Sequence, residues 1–200
     1  MVTRLESTAR TREQLIAAAD QVFVKSGFHG ATVEAIAAAA GLTTGAVYSA
    51  FGGKAELFLA VVDRRLDERI AELHEYSKLP FGPERTKLAA EQFLDRIRRE
   101  REWQIALLEF RLYAARNPEL TAAFANRHRR FVAAVAREGR EDRPESESHL
   151  AAERAARAGI AIGNGYALER LTDPERATEE EFVRVAVILM QALEEAGGLD

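Results

Sequence analysis

Apolar residues recur at spacings of three and four along almost the whole chain, the period of helices that each bury one stripe. Thr11-Arg12-Glu13-Gln14 has the form of a capping box and predicts a first helix opening at Thr11, with Leu15, Ile16, Ala19, Val22 and Phe23 on one face. Between Gly30 and Lys54 the elements shorten. Thr32 is placed to cap a helix containing Ile36 and the alanines 37 to 40, Gly41 stops it, Leu42 supplies an apolar plug, and Thr43 caps a second helix running through Phe51. Val33, Ile36, Leu42, Val47 and Phe51 would form a three-helix core closed by Leu57 and Phe58. Beyond Gly52-Gly53, the stripe Leu57, Phe58, Val61, Val62, Leu66, Ile70 and Leu73 predicts a long helix from Lys54 to about Tyr76.

Lys78 to Pro83 breaks that helix, and Pro83 suits the first position of the next. Periodicity then continues to Arg116, but the consecutive charges from Arg98 to Glu102 mark a helix boundary. The segment from Trp103 onward is apolar on two faces, which predicts a central position. Asn117-Pro118 restarts the chain as cap and first residue of a helix to about Arg140, with Leu120, Phe124, Arg127, His128 and Phe131 on one stripe. Residues 138 to 148 read as a loop. Ala151, Ala152, Ala155, Ala156, Gly159 and Gly163 then form a small-residue face that lets another helix approach closely. Asp173-Pro174 reads as a helix start, and Thr178-Glu179-Glu180-Glu181 as a second capping box. The helix from Phe182 to Leu193 is apolar nearly all round, so it must be buried on two sides, one by its own core and one by a second copy of the chain. The expected fold is all-α: a small N-terminal helix-turn-helix domain, residues 1–54, joined by a long helix to a larger helical domain within residues 55–200.

Composition narrows the chemistry. With 47% apolar and 30% charged residues the chain is an ordinary globular sequence, and five prolines and 13 glycines fall mainly between the periodic segments. Having no cysteine excludes disulfides, thiolate metal sites and a cysteine nucleophile, and suits a reducing compartment. The first ten residues lack the apolar core of a signal peptide and no apolar run is long enough to span a bilayer, so a cytoplasmic protein without a membrane partner is expected. The net charge is −4, while residues 1–54 hold five Lys or Arg against four Asp or Glu. Contacts to phosphate need only a few well-placed donors, so this weak asymmetry neither carries nor opposes DNA binding.

The run T-R-E-Q-L-I-A-A-A-D-Q-V-F-V-K-S-G-F, the Gly30-Ala31-Thr32-Val33 entry, the turn at Gly41-Leu42-Thr43, and then Tyr48, Phe51, Lys54 and Leu57 follow one another without gaps. From Thr11 to about Val62 the chain resembles the N-terminal domain of the TetR family of bacterial transcription regulators. The resemblance implies a homodimer on a roughly palindromic double-stranded DNA operator, with Thr32, Tyr48 and Lys54 on phosphates and Thr43, Thr44, Gly45, Ala46 and Ser49 facing the floor of the major groove. Tyr48 suits a half-buried core position as well. The family more often carries a longer polar side chain where Thr44 stands and a ring where Ala50 stands. With no Arg, Asn or Gln on that helix, readout would use hydroxyls, thymine-methyl packing and DNA shape.

The resemblance further implies a small-molecule effector in the large domain and ligand-released repression, with an activator or a repressor without ligand as alternatives. Trp103, Phe110, Tyr113, Phe124, Phe131 and Tyr166 are aromatic candidates to line its pocket, with Glu109, His128 and Asn164 as polar ones, and they point to an apolar or aromatic compound. No cofactor or metal is implied. A helical-bundle enzyme is the rival class. A di-iron bundle needs a glutamate three before each histidine, and the residues three before His29, His74, His128 and His149 are Ser26, Ala71, Ala125 and Ser146. His-Glu-x-x-His, a phosphate-binding glycine loop and Gly-x-Ser-x-Gly are also absent from the sequence.

Overall fold

The computed structural model describes residues 4–76, 82–138 and 149–197, which hold nine helices and no strand. These are α1 (Arg4–Gly30), α2 (Val33–Ala39), α3 (Thr44–Phe51), α4 (Lys54–Tyr76), α5 (Pro83–Arg99), α6 (Arg101–Ala114), α7 (Pro118–Glu138), α8 (His149–Thr172) and α9 (Glu179–Gly197). Of the expected break at residues 78–83, residues 78–81 lie outside the described residues, as do residues 139–148 of the expected loop over 138–148, whose first residue, Glu138, still belongs to α7. No single helix among the described residues is long and apolar enough to cross a membrane.

Local signals set most of the helix ends. Asn117 Oδ1 accepts from the amides of Glu119 and Leu120 at 3.0 and 3.2 Å, opening α7, and Thr178 Oγ1 accepts from Glu181 N at 3.3 Å, opening α9. Pro83 stands at the start of α5, and the charged run separates α5 from α6 at Glu100. Two expectations are corrected. Helix α1 begins at Arg4 rather than at Thr11, whose hydroxyl instead donates to the Ser7 carbonyl one turn back at 3.0 Å. Arg4, Leu5, Glu6, Ala9 and Arg10 are good helix formers, so the helix runs through the would-be cap. Asp173 does not open a helix either; its Oδ1 accepts from Arg176 N at 3.2 Å and closes a turn.

The chain divides into two compact units, one of Met1–Asp67 with Arg101–Arg127, the other of Glu68–Glu100 with His128–Asp200. This division differs from a single boundary at residue 54, because α6 packs along α1 and joins the first unit. In that unit Phe23, Phe28, Phe58 and Phe110 are fully buried and meet edge to face or stacked, with Phe58 and Phe110 centroids 4.4 Å apart. Asp20 binds Arg64 and Arg65 between α1 and α4, and Asp63 accepts from Arg127 at 2.6 Å. In the second unit α9 packs on α5 and α8, and Phe182 lies against Phe93 and Tyr166.

Candidate functional site

Helices α2 and α3 form the helix-turn-helix. Thr32 Oγ1 accepts from Ala35 N at 3.1 Å and Thr43 Oγ1 from Ala46 N at 3.3 Å, so each threonine satisfies an otherwise orphan amide of the helix it opens. Gly41, at φ 65°, makes the left-handed turn between them. Val47 is fully buried and pins α3 to the core, which turns Gly45, Tyr48 and Ser49 to solvent together with Thr43; Thr44 and Ala46 are half-buried at its edge. Tyr48 is 54% exposed, so the half-buried core position is not the one it takes. Thr32 is exposed at the start of α2. A short helix thus offers hydroxyls and small side chains on one open face, a shape that fits a major groove.

Lys54 has a different setting from Thr32 and Tyr48. Its ammonium donates to the carbonyls of Phe28 and Ala31 at 2.8 and 2.9 Å, with His29 O at 3.4 Å, and lies 4.6 Å from the centre of the Phe28 ring. Burial pushes its pKa below the ordinary lysine value, and Glu109 offsets part of that shift. These contacts close the carboxyl end of α1. Glu109 completes the joint by accepting from His29 N at 3.0 Å. Gly27 makes it possible: at φ 70° and ψ 175° it kinks α1 where only glycine is comfortable, and a Cβ there would stand 2.7 Å from Glu109 Oε2. A polar recess of about 430 Å³, bordered by His29, Glu56, Tyr113 and Asn117, lies beside the joint. Arg12 was not singled out by the sequence. Its guanidinium covers the Phe51 ring at 4.1 Å and donates to the Ala50 carbonyl, fastening the end of α3 to α1.

The second unit holds an apolar cavity of about 260 Å³. Of the nine side chains that the sequence offered for a pocket, Phe131 and Asn164 line it. Trp103, Phe110 and Phe124 belong to the core of the first unit, where Trp103 stacks on Phe58 at 5.2 Å and Phe124 lies 5.9 Å from Phe110. Tyr113 packs on Phe28 at 5.0 Å and Glu109 holds the α1 joint. The four on α6 went elsewhere because that helix buries the face of Trp103, Ala106 and Phe110 against α1 while Leu112 stays exposed, and Phe124 of α7 follows by packing on Phe110. His128 is half-buried in the second unit, and Tyr166 donates to the Ala177 carbonyl at 2.9 Å with its ring tilted against that of Phe182. Besides Phe93, Phe131 and Phe182, the cavity is lined by small residues of α8, Ala152, Ala155, Ala156, Gly159 and Gly163, and by Arg69, Arg85 and Arg96. The small-residue face is therefore used within the chain, where a Cβ on Gly163 would come 3.3 Å from the Phe93 ring. Outside it, α9 exposes Val185 and Ile188, the latter at 58%, and α8 exposes Leu168. No group of three or more His, Cys, Asp or Glu able to hold a metal occurs among the described residues.

Residues 15–61 match the family described as bacterial regulatory proteins, tetR family, and residues 81–194 match the tetracyclin repressor-like C-terminal domain. The transcriptional activator FasR of Mycolicibacterium smegmatis is 35% identical over 85 residues, 42% of this chain and 39% of FasR. The transcriptional repressor BepR of Brucella suis is 41% identical over 56 residues, 28% of this chain and 27% of BepR. The chain thus aligns with well under half the length of these curated relatives. Among solved structures, a protein of Mesorhizobium loti assigned to the TetR family superposes over 97% of this chain and 98% of its own, at a TM-score of 0.72 and 24% identity. FadR of Bacillus subtilis, in complex with stearoyl-CoA, covers 90% of this chain and 96% of its own, at a TM-score of 0.66 and 16% identity. Family matches over both halves and a helix-turn-helix with an open α3 agree: the chain belongs to the TetR family of bacterial helix-turn-helix transcriptional regulators.

Proposed function

We propose that the protein is a cytoplasmic, ligand-responsive repressor that binds a palindromic operator as a homodimer and leaves it when an effector fills the second unit. The observation that carries this reading is the open face of α3, capped by Thr43 and anchored by Val47. On DNA, Thr43, Thr44, Gly45, Ala46 and Ser49 face the groove floor and Thr32 and Tyr48 meet phosphates. Lys54 can do so only by giving up a carbonyl of α1. Exposed Val185 and Ile188 on α9, with Leu168 on α8, support two-fold pairing through these helices, which is the economical way to cover an apolar stripe and to repeat α3 about 34–36 Å or more along the duplex. The chain crosses between its units inside α4 and inside α7, so continuous helices can carry a change in one to the other.

BepR is named a repressor and FasR an activator, so an activator of the same fold is the second reading. Footprinting of the full-length protein upstream of its own and neighbouring genes tests the DNA-binding claim, which fails if no site is protected. Transcripts of those genes in a deletion strain separate the two readings: a repressor's targets rise and an activator's fall. Light scattering tests the dimer, with Ile188→Glu expected to give monomer. A regulator rather than an enzyme is the reading adopted, and turnover of any compound bound by the second unit would reverse it.

A further inference from the structure

The cavity of the second unit is electrically lopsided. Arg85 and Arg96 both line it from α5, and eleven residues at the helical rise set them about 16 Å apart, with Ala89, Ala90 and Phe93 between. At the Arg85 end the guanidinium donates to the Glu138 carbonyl, and the Glu138 side chain is buried beside it, so that end carries both charges. The Arg96 end does not balance in the same way. Arg96 Nη1 meets Glu72 at 3.2 Å, but the Glu72 side chain is 60% exposed while that of Arg96 is only 15% exposed. The Nε–H of Arg96 is buried without a hydrogen-bond acceptor among the described residues. One helical turn before Glu72, Arg69 also lines the cavity, with its guanidinium 4.5 Å from the Phe131 ring centre. Asn164 follows Gly163, which touches Phe93, and so stands near this end as well.

We propose that the cavity takes a slender apolar chain ending in one anionic group, carboxylate or phosphate, with the head at Arg69, Arg96 and Asn164 and the tail running toward Arg85 and Glu138. A largely covered guanidinium with an unpaired buried Nε–H, matched by an exposed carboxylate, is a standing demand for an anion, and a bidentate oxyanion satisfies it better than Glu72 does. Between the two ends the lining is apolar, Ala89, Ala90 and Phe93 of α5 facing the small residues of α8, which suits a slender apolar chain. This rests on the reading of the second unit as the effector domain and names the class of effector.

Isothermal titration of the full-length protein with straight-chain carboxylates of graded length, and with the alkyl phosphate, alcohol and trimethylammonium of matching length, tests it. The anions should bind roughly ten- to a hundredfold more tightly than the alcohol, the range of a charge-assisted hydrogen bond, and the cation should not bind. Carboxylate against phosphate identifies the head. Arg96→Gln should erase the preference while leaving affinity for the alcohol, and Arg69→Gln should do so in part. Gly159→Leu, placed where an added Cβ meets only Met190 Sδ at 3.9 Å, should block every chain without unfolding α8. Equal binding of anion, alcohol and cation, or no binding of any anion, overturns the proposal, and the wild-type series decides this even if an arginine variant fails to fold. Operator release is measured separately: an anion that binds without releasing DNA refutes the effector reading alone, whereas release by an uncharged compound with no anion binding refutes the ligand class alone.

Discussion

The two units are assembled from the same kind of amphipathic helix and fill their interiors in opposite ways. In the first, four phenylalanines and Trp103 meet ring on ring, and the helices that frame α3 are further tied by Lys54, Glu109 and Arg12. In the second, alanines and glycines occupy the positions facing α5, leaving an apolar cavity. Close packing suits a helix that must keep one orientation against DNA, since interiors at crystal-like density transmit strain and resist deformation. Unfilled apolar volume forfeits dispersion contacts, and a ligand that fills it returns them as binding energy and as stability of the bound state. The difference between the units is thus between a part that must hold still and a part that must respond.

Phe110→Ala gives the largest effect that contrast predicts. Phe110 is fully buried against Phe28, Phe58 and Phe124, so its truncation should cost about 3–5 kcal/mol and abolish operator binding through loss of the first unit. Met190→Ala in the second unit, at a half-buried position already beside the cavity, should cost under about 2 kcal/mol. Urea unfolding curves of both variants check this, and equal costs would break the comparison.

Lys54→Ala comes next. If its contacts to the Phe28 and Ala31 carbonyls are its main role, removing them should destabilise the protein by about 1.5–3 kcal/mol while the salt dependence of operator affinity keeps its slope. A phosphate contact predicts the reverse, a slope lower by about one and a smaller loss of stability. Operator affinity measured over a range of salt, beside a thermal melt, separates the two. Gly27→Ala should cost about 1–3 kcal/mol from the backbone alone, with an added clash against Glu109 that a Glu109→Ala background relieves in part. Melting the single and double variants reads that coupling.

What the sequence revealed follows the range of each interaction. The caps at Thr32 and Thr43 act over three residues, so the α2–turn–α3 unit was legible residue by residue. Glu109 meets His29 across 80 residues, and nothing local distinguishes a helix bound for the core beside α1 from one bound for a pocket. That is why Trp103, Phe110 and Glu109 were offered to a ligand and are found around α1. The arginines of the cavity were missed for a related reason, since an arginine on a helical stripe has the pattern of a solvated face until its neighbours are known. The small-residue face of α8 was visible, but small side chains permit either a close helix or an empty space, and here both occur: Gly163 against Phe93, and the cavity beside it.

The smallest predicted effect has the opposite sign. Gly159 lies within α8, where glycine costs about 0.5–1 kcal/mol relative to alanine, and an added Cβ would meet only Met190 Sδ at an ordinary 3.9 Å. Gly159→Ala should therefore stabilise the second unit by about that amount, whereas the same change at Gly27 destabilises the first, because one glycine has room for a methyl at ordinary contact with Met190 and the other faces a carboxylate in a backbone conformation that alanine avoids. Urea melts of the two variants side by side test this, with midpoints expected to shift in opposite directions. A loss of stability in Gly159→Ala would mean that α8 and α9 need the missing methyl's space to pack, and that the second unit is as tightly fitted at that point as the first.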